Sequence, residues 1–254
     1  MAMRLARPTL LIDIARIPEL AFIRDEGDAI AIGATTRQSV VESDPLVRTK
    51  LPLLAKAMPF VGHTPTRTRG TIGGSLANAD PAAEIALVAV TLGATLSWRE
   101  AGKTTDVTAS DFFVGPMVTA LPQAGCLSAV RFPVWNEPRL GVGFHEVNPR
   151  KSDFAFVSAA AQVAVDEAGR CTRVAVGIGA ATAFPLRLDA VGKALEGTRA
   201  EDTVVRDAVA AAIAQIEPMA DLHASADYRR RAARALLVRA IADACQMARG
   251  AHAD

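Results

Sequence analysis

A glycine-rich segment between Arg67 and Glu84 carries the residue types best suited to bind a ligand. It has the sequence Arg-Thr-Arg-Gly-Thr-Ile-Gly-Gly-Ser-Leu-Ala-Asn-Ala-Asp-Pro-Ala-Ala-Glu. Glycine lacks the Cβ atom that would hold a ligand away from the backbone, and successive N–H groups in such a turn can form an anion-binding concavity. Asp80 followed by Pro81 is typical of a helix N-cap and first turn. The pattern therefore predicts a loop that leads into a helix and brings backbone amides close to a polar ligand.

The spacing alone leaves two interpretations of this segment open. Glycine pairs before helices are often plain turns, and the segment matches neither common phosphate signature, because it lacks Gly-Lys-Thr/Ser and Gly-x-Gly-x-x-Gly. Arg67 and Arg69 can neutralise phosphate charge, or they can pair with carboxylates and brace the turn. Asp80 can act as an N-cap whether or not a ligand binds.

Composition excludes several classes of function. The 254 residues include 28 basic and 27 acidic side chains, so the chain lacks the excess of positive charge that binding to nucleic acid requires. Three isolated cysteines and four scattered histidines lack ligand spacing, and we expect no metal site within the chain. We expect a cytoplasmic protein without a transmembrane segment, because no apolar signal core or bilayer-length apolar run occurs. Four clustered arginines predict a solvated face or a subunit contact: Arg229, Arg230, Arg231 and Arg234.

Hydropathy patterns predict the elements of the first half of the chain. Thr9–Asp13 is a short apolar run suited to a buried strand. Pro81–Leu92 is apolar nearly all round, which predicts a buried helix that ends at Gly93. Three further strands are predicted at 29–33, 96–99 and 127–132. Two further helices are predicted, one with Thr36 as its N-cap and one that begins at Pro52.

The run from Pro133 to Pro138 predicts a boundary between domains at 1–134 and 139–254. The overall pattern is α+β, with a mixed N-terminal domain and a C-terminal antiparallel sheet backed by helices. The C-terminal elements are two long strands joined by a hairpin turn (Ala155–Asp166 and Cys171–Gly179) and helices near Leu188–Leu195, Asp202–Ile216 and Ser225–Arg249, the last capped by Ser225.

Several motifs resemble those of one family and occur in its order. Arg67–Leu76 and Ala79–Glu84 closely resemble the second FAD-contacting loop of the FAD-binding subunit of molybdenum hydroxylases. That family includes the medium subunit of aerobic carbon monoxide dehydrogenase and the flavin domain of xanthine dehydrogenase. The resemblance implies a PCMH-type FAD-binding domain and then a smaller domain of antiparallel sheet backed by helices. The other matching stretches are Leu5–Pro8 with Asp13 and Ile17–Leu20, Asp111–Phe113 with Gly115 and Thr119, Val130–Pro133, Lys151–Ala155, and Tyr228–Arg230 with Arg239 and Ala240.

The resemblance implies FAD as the cofactor and implies roles for individual residues. The N–H groups from Thr71 to Ser75 would point at the diphosphate, and Leu127 would pack against adenine. His145 stands where relatives carry a lysine near the flavin, and Phe154 would either lie against the ring or begin a core strand. No catalytic residue and no metal ligand is expected in this chain. The implied cofactor-binding set is Gly70, Thr71, Ile72, Gly73, Gly74, Ser75, Asn78, Asp80, Glu84, Leu127, His145, Lys151 and Asp153.

The resemblance also implies an oxidoreductase subunit that transfers electrons. Substrate would be oxidised in a large molybdopterin subunit, and electrons would pass through the iron–sulfur clusters of a small subunit to FAD and on to an external acceptor. Such complexes are usually dimers of heterotrimers. Relatives carry a further glycine-rich loop ahead of the Arg-Pro stretch, so we expect that the usual first subdomain is lacking. The alternative is a flavin-poor structural or interaction subunit of the same kind of complex.

Overall fold

The computed structural model describes residues 9–250, so the Leu5–Pro8 stretch lies outside the described residues. The first half contains a five-stranded sheet, a two-stranded hairpin and seven short helices among the residues described. In chain order these are β1 (Ile23–Asp25), β2 (Ala29–Gly33), α1 (Gln38–Ser43), α2 (Pro45–Lys50), α3 (Pro52–Ala57), α4 (Thr64–Arg69), α5 (Ile72–Asn78), α6 (Glu84–Leu92), β3 (Thr95–Glu100), β4 (Lys103–Thr108), α7 (Ala109–Phe112), β5 (Phe113–Gly115), β6 (Val118–Thr119) and β7 (Cys126–Pro133), with 3-10 turns at Pro18–Leu20 and Met58–Phe60.

The second half contains a four-stranded sheet and three helices within the described range. The five-stranded sheet has the order β1-β2-β7-β3-β4, and the observed pairs in both sheets are antiparallel. The second-half elements are β8 (Leu140–Val147), β9 (Val157–Val165), β10 (Cys171–Gly179), β11 (Leu186–Arg187), α8 (Asp189–Leu195), α9 (Asp202–Ile213) and α10 (Ala226–Gly250), and the sheet order is β11-β10-β9-β8.

Helix α6 lies between the two sheets. Every residue from Ile85 to Leu92 is buried, as the all-round apolar pattern predicts, and Gly93 ends the helix with φ +71°. On the side of the four-stranded sheet, β10 approaches so closely that a Cβ atom at Gly177 would lie 2.0 Å from the Thr91 Oγ1 atom. The same helix also belongs to the hydrophobic core of the first half, together with residues such as Phe132. Its burial therefore joins the two halves of the molecule.

The other face of the four-stranded sheet packs against α10. Strand β9 is buried along its whole length, because α10 covers one face and residues of the first half cover the other. Gly141 and Gly143 on β8 allow the helix backbone to come close. A Cβ atom at either position would lie 2.0 Å from a carbonyl oxygen of α10, that of Ala244 or Ala240 respectively. Ser225 caps α10 as predicted, since its Oγ atom accepts a hydrogen bond from the Tyr228 amide at 3.2 Å.

Most of the predicted strands and helices are confirmed, but several predictions are wrong. Thr9–Asp13 is not a strand; its apolar side chains are exposed, since no strand pairs with it among the described residues. Thr36 does not cap α1, because its hydroxyl bridges the backbone of Phe22 instead. Helix α6 begins at Glu84 and not at Pro81, because the Asp80 carboxylate closes a separate turn by accepting from the Ala82 amide at 2.9 Å.

The arginine cluster of α10 is also not uniformly solvated. Arg229 is buried, donates to the carbonyl oxygens of Phe156 and Ala180, and forms an ion pair with Asp221. A guanidinium with several donors can satisfy such a set of acceptors, so this residue ties α10 to the ends of β9 and β10. Between residues 9 and 250, no helix combines the length and apolar composition that crossing a membrane requires.

We expect Gly143→Ala to destabilise the fold by about 1–3 kcal/mol or more, because the added methyl group would overlap the α10 backbone. Chemical denaturation followed by circular dichroism measures this loss. Gly115→Ala is the matched control, since its Cβ atom would meet Val118 at 3.7 Å, an ordinary contact. Equal stability of the two variants would contradict the close packing of β8 on α10.

We expect Leu87→Ala in α6 to cost about 2–5 kcal/mol, because it leaves a cavity between the two sheets. The control is Val40→Ala, which truncates a side chain that is 49% exposed and should change stability by less than about 0.5 kcal/mol. A loss of stability no larger than that of the Val40 variant would contradict the packing of Leu87 between the two sheets.

Candidate functional site

The glycine-rich segment forms the start of α5 and not an open loop. Thr71 is the N-cap, and its Oγ1 atom accepts from the Gly74 amide at 3.0 Å. The Ser75 amide donates to the Thr71 carbonyl oxygen at 3.1 Å. The Ile72 and Gly73 amides are also used, because they donate to carbonyl oxygens of the chain that follows β2. In this structure the amides of residues 72–75 therefore donate within the chain, and their binding of a diphosphate stays a prediction.

Two of the three glycines serve close packing. A Cβ atom at Gly73 would lie 2.4 Å from the Ala34 Cβ atom, and one at Gly70 would lie 2.5 Å from the Gln38 Oε1 atom. At Gly74 a Cβ atom would meet only the Thr71 hydroxyl, at 2.8 Å. The segment thus lacks side chains mainly because α5 docks directly on the end of β2 and the start of α1.

Arg67 stabilises this region by contacts within the chain. Of the two predicted alternatives, the structure shows pairing with a carboxylate. Its guanidinium contacts both carboxylate oxygens of Glu42, at 2.8 and 3.1 Å. It also donates to the carbonyl oxygens of Val61 and Gly62. Arg67 is buried by these contacts, whereas Arg69 is exposed beside Gly70 on a shallow surface recess.

A cleft of about 300 Å³, lined by both polar and apolar groups, lies beside α5. Ser75 and Asn78 reach it from one face of α5, since positions three apart are neighbours on a helix surface. The turn before α6 supplies more of the wall, and the turn after β8 closes the cleft from the second half of the chain. Five predicted site residues therefore converge here: Ser75, Asn78, Asp80, Glu84 and Asp153.

The turn after β8 is held by its own hydrogen bonds. Asp153 accepts from the Phe154 amide at 3.0 Å and pairs with Arg150 at 3.3 Å. Asn148 donates to the Asp153 carbonyl oxygen at 3.3 Å and to the Glu146 Oε1 atom at 2.7 Å. These contacts leave the Phe154 side chain 71% exposed at the lip of the cleft, so it does not begin a core strand.

Two carboxyl groups at this site have raised pKa values. Burial raises the pKa of Glu84 to about 7, helped by the charge of Asp80 and opposed by a hydrogen bond to the Glu84 backbone. Burial also raises the pKa of Glu146 to about 8, and the nearby charge of Glu84 adds to this effect while the hydrogen bond from Asn148 opposes it. Both groups carry protons in a pH range where an ordinary glutamate is ionised.

The other predicted site residues lie elsewhere. Lys151 lines a recess next to the cleft, together with His63 and Asp153, which also line the cleft itself. Leu127 is buried in β7 opposite Trp98 and does not line the cleft. His145 points away from the cleft, because it lies on the face of β8 that α10 covers and contacts Asp243 at 2.8 Å.

Sequence reasoning missed two residues of this region. Gln38 lines the cleft and is only 5% exposed, and its Oε1 atom has no hydrogen-bond partner among residues 9–250. Nothing in its local sequence sets it apart. Glu146 carried a signal, because an acid in a largely apolar strand is unusual. Successive strand residues face opposite sides, so with His145 directed at α10, Glu146 faces the cleft side.

Comparison with known proteins identifies the same family that the sequence motifs resemble. Residues 1–135 match the FAD binding domain in molybdopterin dehydrogenase, and residues 143–244 match the CO dehydrogenase flavoprotein C-terminal domain. The chain is 32% identical to the 6-hydroxypseudooxynicotine dehydrogenase complex subunit alpha of Paenarthrobacter nicotinovorans, over 97% of this chain and 83% of that protein. It is 33% identical to the carbon monoxide dehydrogenase medium chain of Afipia carboxidovorans, over 95% and 83%.

A solved structure has the same fold. A chain of carbon monoxide dehydrogenase from Hydrogenophaga pseudoflava superposes with a TM-score of 0.91 at 31% identity, covering 96% of this chain and 85% of that one. The sequence matches extend over both sheets and over the residues that form the cleft. The chain therefore belongs to the molybdenum hydroxylase family, as one of its FAD-binding, electron-transferring medium subunits.

Proposed function

We propose that the cleft holds the ribityl chain and part of the isoalloxazine ring of FAD. The observation that carries this proposal is the convergence of α5, the turn before α6 and the turn after β8 on one space that is lined by both polar and apolar groups. Hydroxyl and amide side chains there (Ser75 and Asn78) can pair with ribityl hydroxyls. The partnerless Oε1 atom of Gln38 is an acceptor suited to a hydroxyl or ring N–H donor.

The diphosphate belongs outside the cleft in this proposal. No lysine or arginine is among the described residues that line the cleft, and three carboxyl groups do, so a phosphate anion would be repelled there. The recess that contains Arg69 and Gly70 shares Thr66 with the cleft and offers a guanidinium and hydroxyl groups. Lys151 lies at the opposite rim. We assign the diphosphate to the Arg69 recess.

The predicted residues take different roles in this proposal. Ser75, Asn78, Asp80, Glu84 and Asp153 would contact the flavin end of FAD. The other five residues of the glycine-rich segment shape the site by packing and capping, except that Gly70 would also lie near the diphosphate. Leu127 and His145 contact no part of FAD in this proposal. When bound, FAD supplies the redox chemistry, and the protein orients it and excludes water from its ring.

The partners and the arrangement of the complex are part of the same proposal. We infer that an iron–sulfur small subunit and a molybdopterin large subunit complete the enzyme, in a dimer of heterotrimers in the cytoplasm. Support comes from apolar side chains exposed near the cleft, Phe154 at its lip and Met117 beside Asn78, because such groups are suited to a protein contact. The division into domains 1–134 and 139–254 is likewise proposed, with the cleft between them.

Substrate choice is assigned to another subunit. Two relatives of nearly equal identity belong to dehydrogenases of a nicotine derivative and of carbon monoxide, which share no chemistry as substrates. We expect a subunit that is about equally similar to both not to select between such substrates. We propose that the large subunit selects the substrate and that this chain accepts electrons independently of it.

We expect Ser75→Leu and Asn78→Leu each to weaken FAD binding at least about tenfold, because each removes a polar partner and fills the cleft. Flavin absorbance per chain and a fluorescence titration of the flavin-free protein measure this. Ala77→Leu is the matched control, since Ala77 lies on the exposed side of α5 and does not line the cleft. If the two cleft variants kept the full flavin content, the cleft would not hold the ribityl chain. An unmodified chain that binds no FAD would instead support the flavin-poor interaction role.

We expect Arg69→Ala to weaken binding of FAD but not of riboflavin, because riboflavin lacks the diphosphate. The two cleft variants should weaken binding of both ligands. Parallel titrations with FAD and riboflavin therefore separate the two parts of the site. Equal loss of affinity for FAD and riboflavin in the Arg69 variant would contradict the placement of the diphosphate.

A further inference from the structure

A buried polar cluster lies behind the inner wall of the cleft. Glu146 on β8 accepts from Asn148 through Oε1, but its Oε2 atom is buried and has no partner among the described residues. Ser158 on β9 stands directly opposite Glu146, and its Oγ atom is also buried without a partner in that part of the chain. Opposed residues of an antiparallel pair project from the same face, so the two unpartnered atoms belong to one cluster.

This cluster is connected to the cleft in two ways. Glu84 lines the cleft at the start of α6 and is near enough for its charge to raise the pKa of Glu146. Asn148 joins Glu146 to the backbone of Asp153, which also lines the cleft. Glu146 is therefore coupled to the cleft by the charge of Glu84 and by the hydrogen bonds of Asn148.

The unpartnered atoms indicate a protonated acid. A buried carboxylate oxygen without a donor is costly, and two carboxylates close together in a dry interior disfavour double ionisation. Protonation of Glu146 at Oε2 removes the buried negative charge, so that atom no longer requires a donor to offset it. The raised pKa values of about 7 and about 8 agree with this geometry.

The charged groups around Glu84 and Glu146 also favour a protonated carboxyl group. Asp80 adds negative charge beside Glu84. Asp153 is already paired with Arg150, and the cleft-lining His63 is exposed. Across the sheet, β9 and β10 present only Ser158 and Gly179 at the paired positions, which bring no charge. No cation among residues 9–250 forms an ion pair with Glu84 or Glu146.

We propose that Glu84 and Glu146 form one proton-holding acid pair that supplies a proton to the cleft when the bound flavin is reduced. The second part of this proposal rests on the proposed function. Reduction of FAD to FADH2 takes up two electrons, which come from the reduced partner subunit, and two protons. The pair gives one proton through Glu84, and solvent gives the other. The pair then regains its own proton from solvent, so the complete reduction consumes two protons of solvent, and reoxidation releases both to solvent.

The first experiment uses the flavin-free chain. Because the folded pKa values exceed the ordinary value of 4.5, the folded state binds more protons than the unfolded state above that pH. Stability should therefore fall as pH rises from about 4.5 and level off above about 8. In Glu146→Gln the decrease in stability between the two folded pKa values should be smaller. In the same pH range the infrared absorption of a protonated carboxyl group should be lost. The control is Glu167→Gln in the exposed β9–β10 turn, which should behave like the unmodified chain.

Identical pH dependence in the Glu146 variant and the unmodified chain would overturn the acid pair. Stabilisation of the unmodified chain by Mg²⁺ or Ca²⁺, lost in Glu146→Gln, would overturn it as well, since the carboxylates would then hold a cation. Either result is obtained without flavin. Failure of the proposed function would instead appear as an unmodified chain that binds no FAD.

The second experiment uses flavin-loaded protein in weak buffer with a pH-indicator dye, at a pH between the two folded pKa values. Each protein should take up two protons from solvent for each flavin reduced once the reaction is complete. In the unmodified chain one of the two should be taken up after the flavin absorbance has decreased, because the pair supplies the first proton and is then reprotonated. In Glu146→Gln both should be taken up together with the decrease in absorbance, and Glu167→Gln should match the unmodified chain. The same time course in the Glu146 variant and the unmodified chain would refute the transfer of a proton from the pair, even if the first experiment confirmed that the pair holds one.

Discussion

The burial of α6 between the two sheets is the contact on which the rest of the structure depends. Its residues pack into the core of the first half on one side and against β10 on the other. The cleft has walls from both halves of the chain, with Glu84 on one side and Asp153 on the other. Helix α6 helps to keep the spacing of these walls, together with the packing of Phe144 on β8 against Phe60. The site is therefore a consequence of core packing, and Val61 belongs both to that core and to the lining of the cleft.

The same arrangement explains the unusual electrostatics of the site. A helix that is apolar all round must enter the core at its first turn, and its first residue here is Glu84. The neighbouring strand brings Glu146 to the same place. Two acids at the edge of a core cannot keep the hydration that stabilises their charged forms, so they hold protons at higher pH. Packing and acid–base chemistry thus have one cause.

Glycine has a consistent role across the molecule. At Gly73, Gly143 and Gly177 the missing side chain lets α5, α10 and β10 approach a neighbouring element at distances that a Cβ atom would not permit. The family resemblance directed attention to glycines as ligand contacts, and the structure uses most of them as packing contacts. An absent side chain is equally useful for a bound cofactor and for a packed backbone, so sequence alone does not distinguish these uses.

The sequence by itself determined the family, the α+β class and most elements, because period-two and helical patterns and turn residues are local properties. It also identified Ser75, Asn78, Asp80, Glu84 and Asp153, which do converge on one cleft. Only the tertiary structure decided that Thr9–Asp13 is exposed, that residues 72–75 have their amides occupied, and that Glu146 and not His145 faces the cleft side. Those outcomes depend on which element packs against each face and each backbone group, and contacts between distant parts of the chain are not encoded in any local pattern.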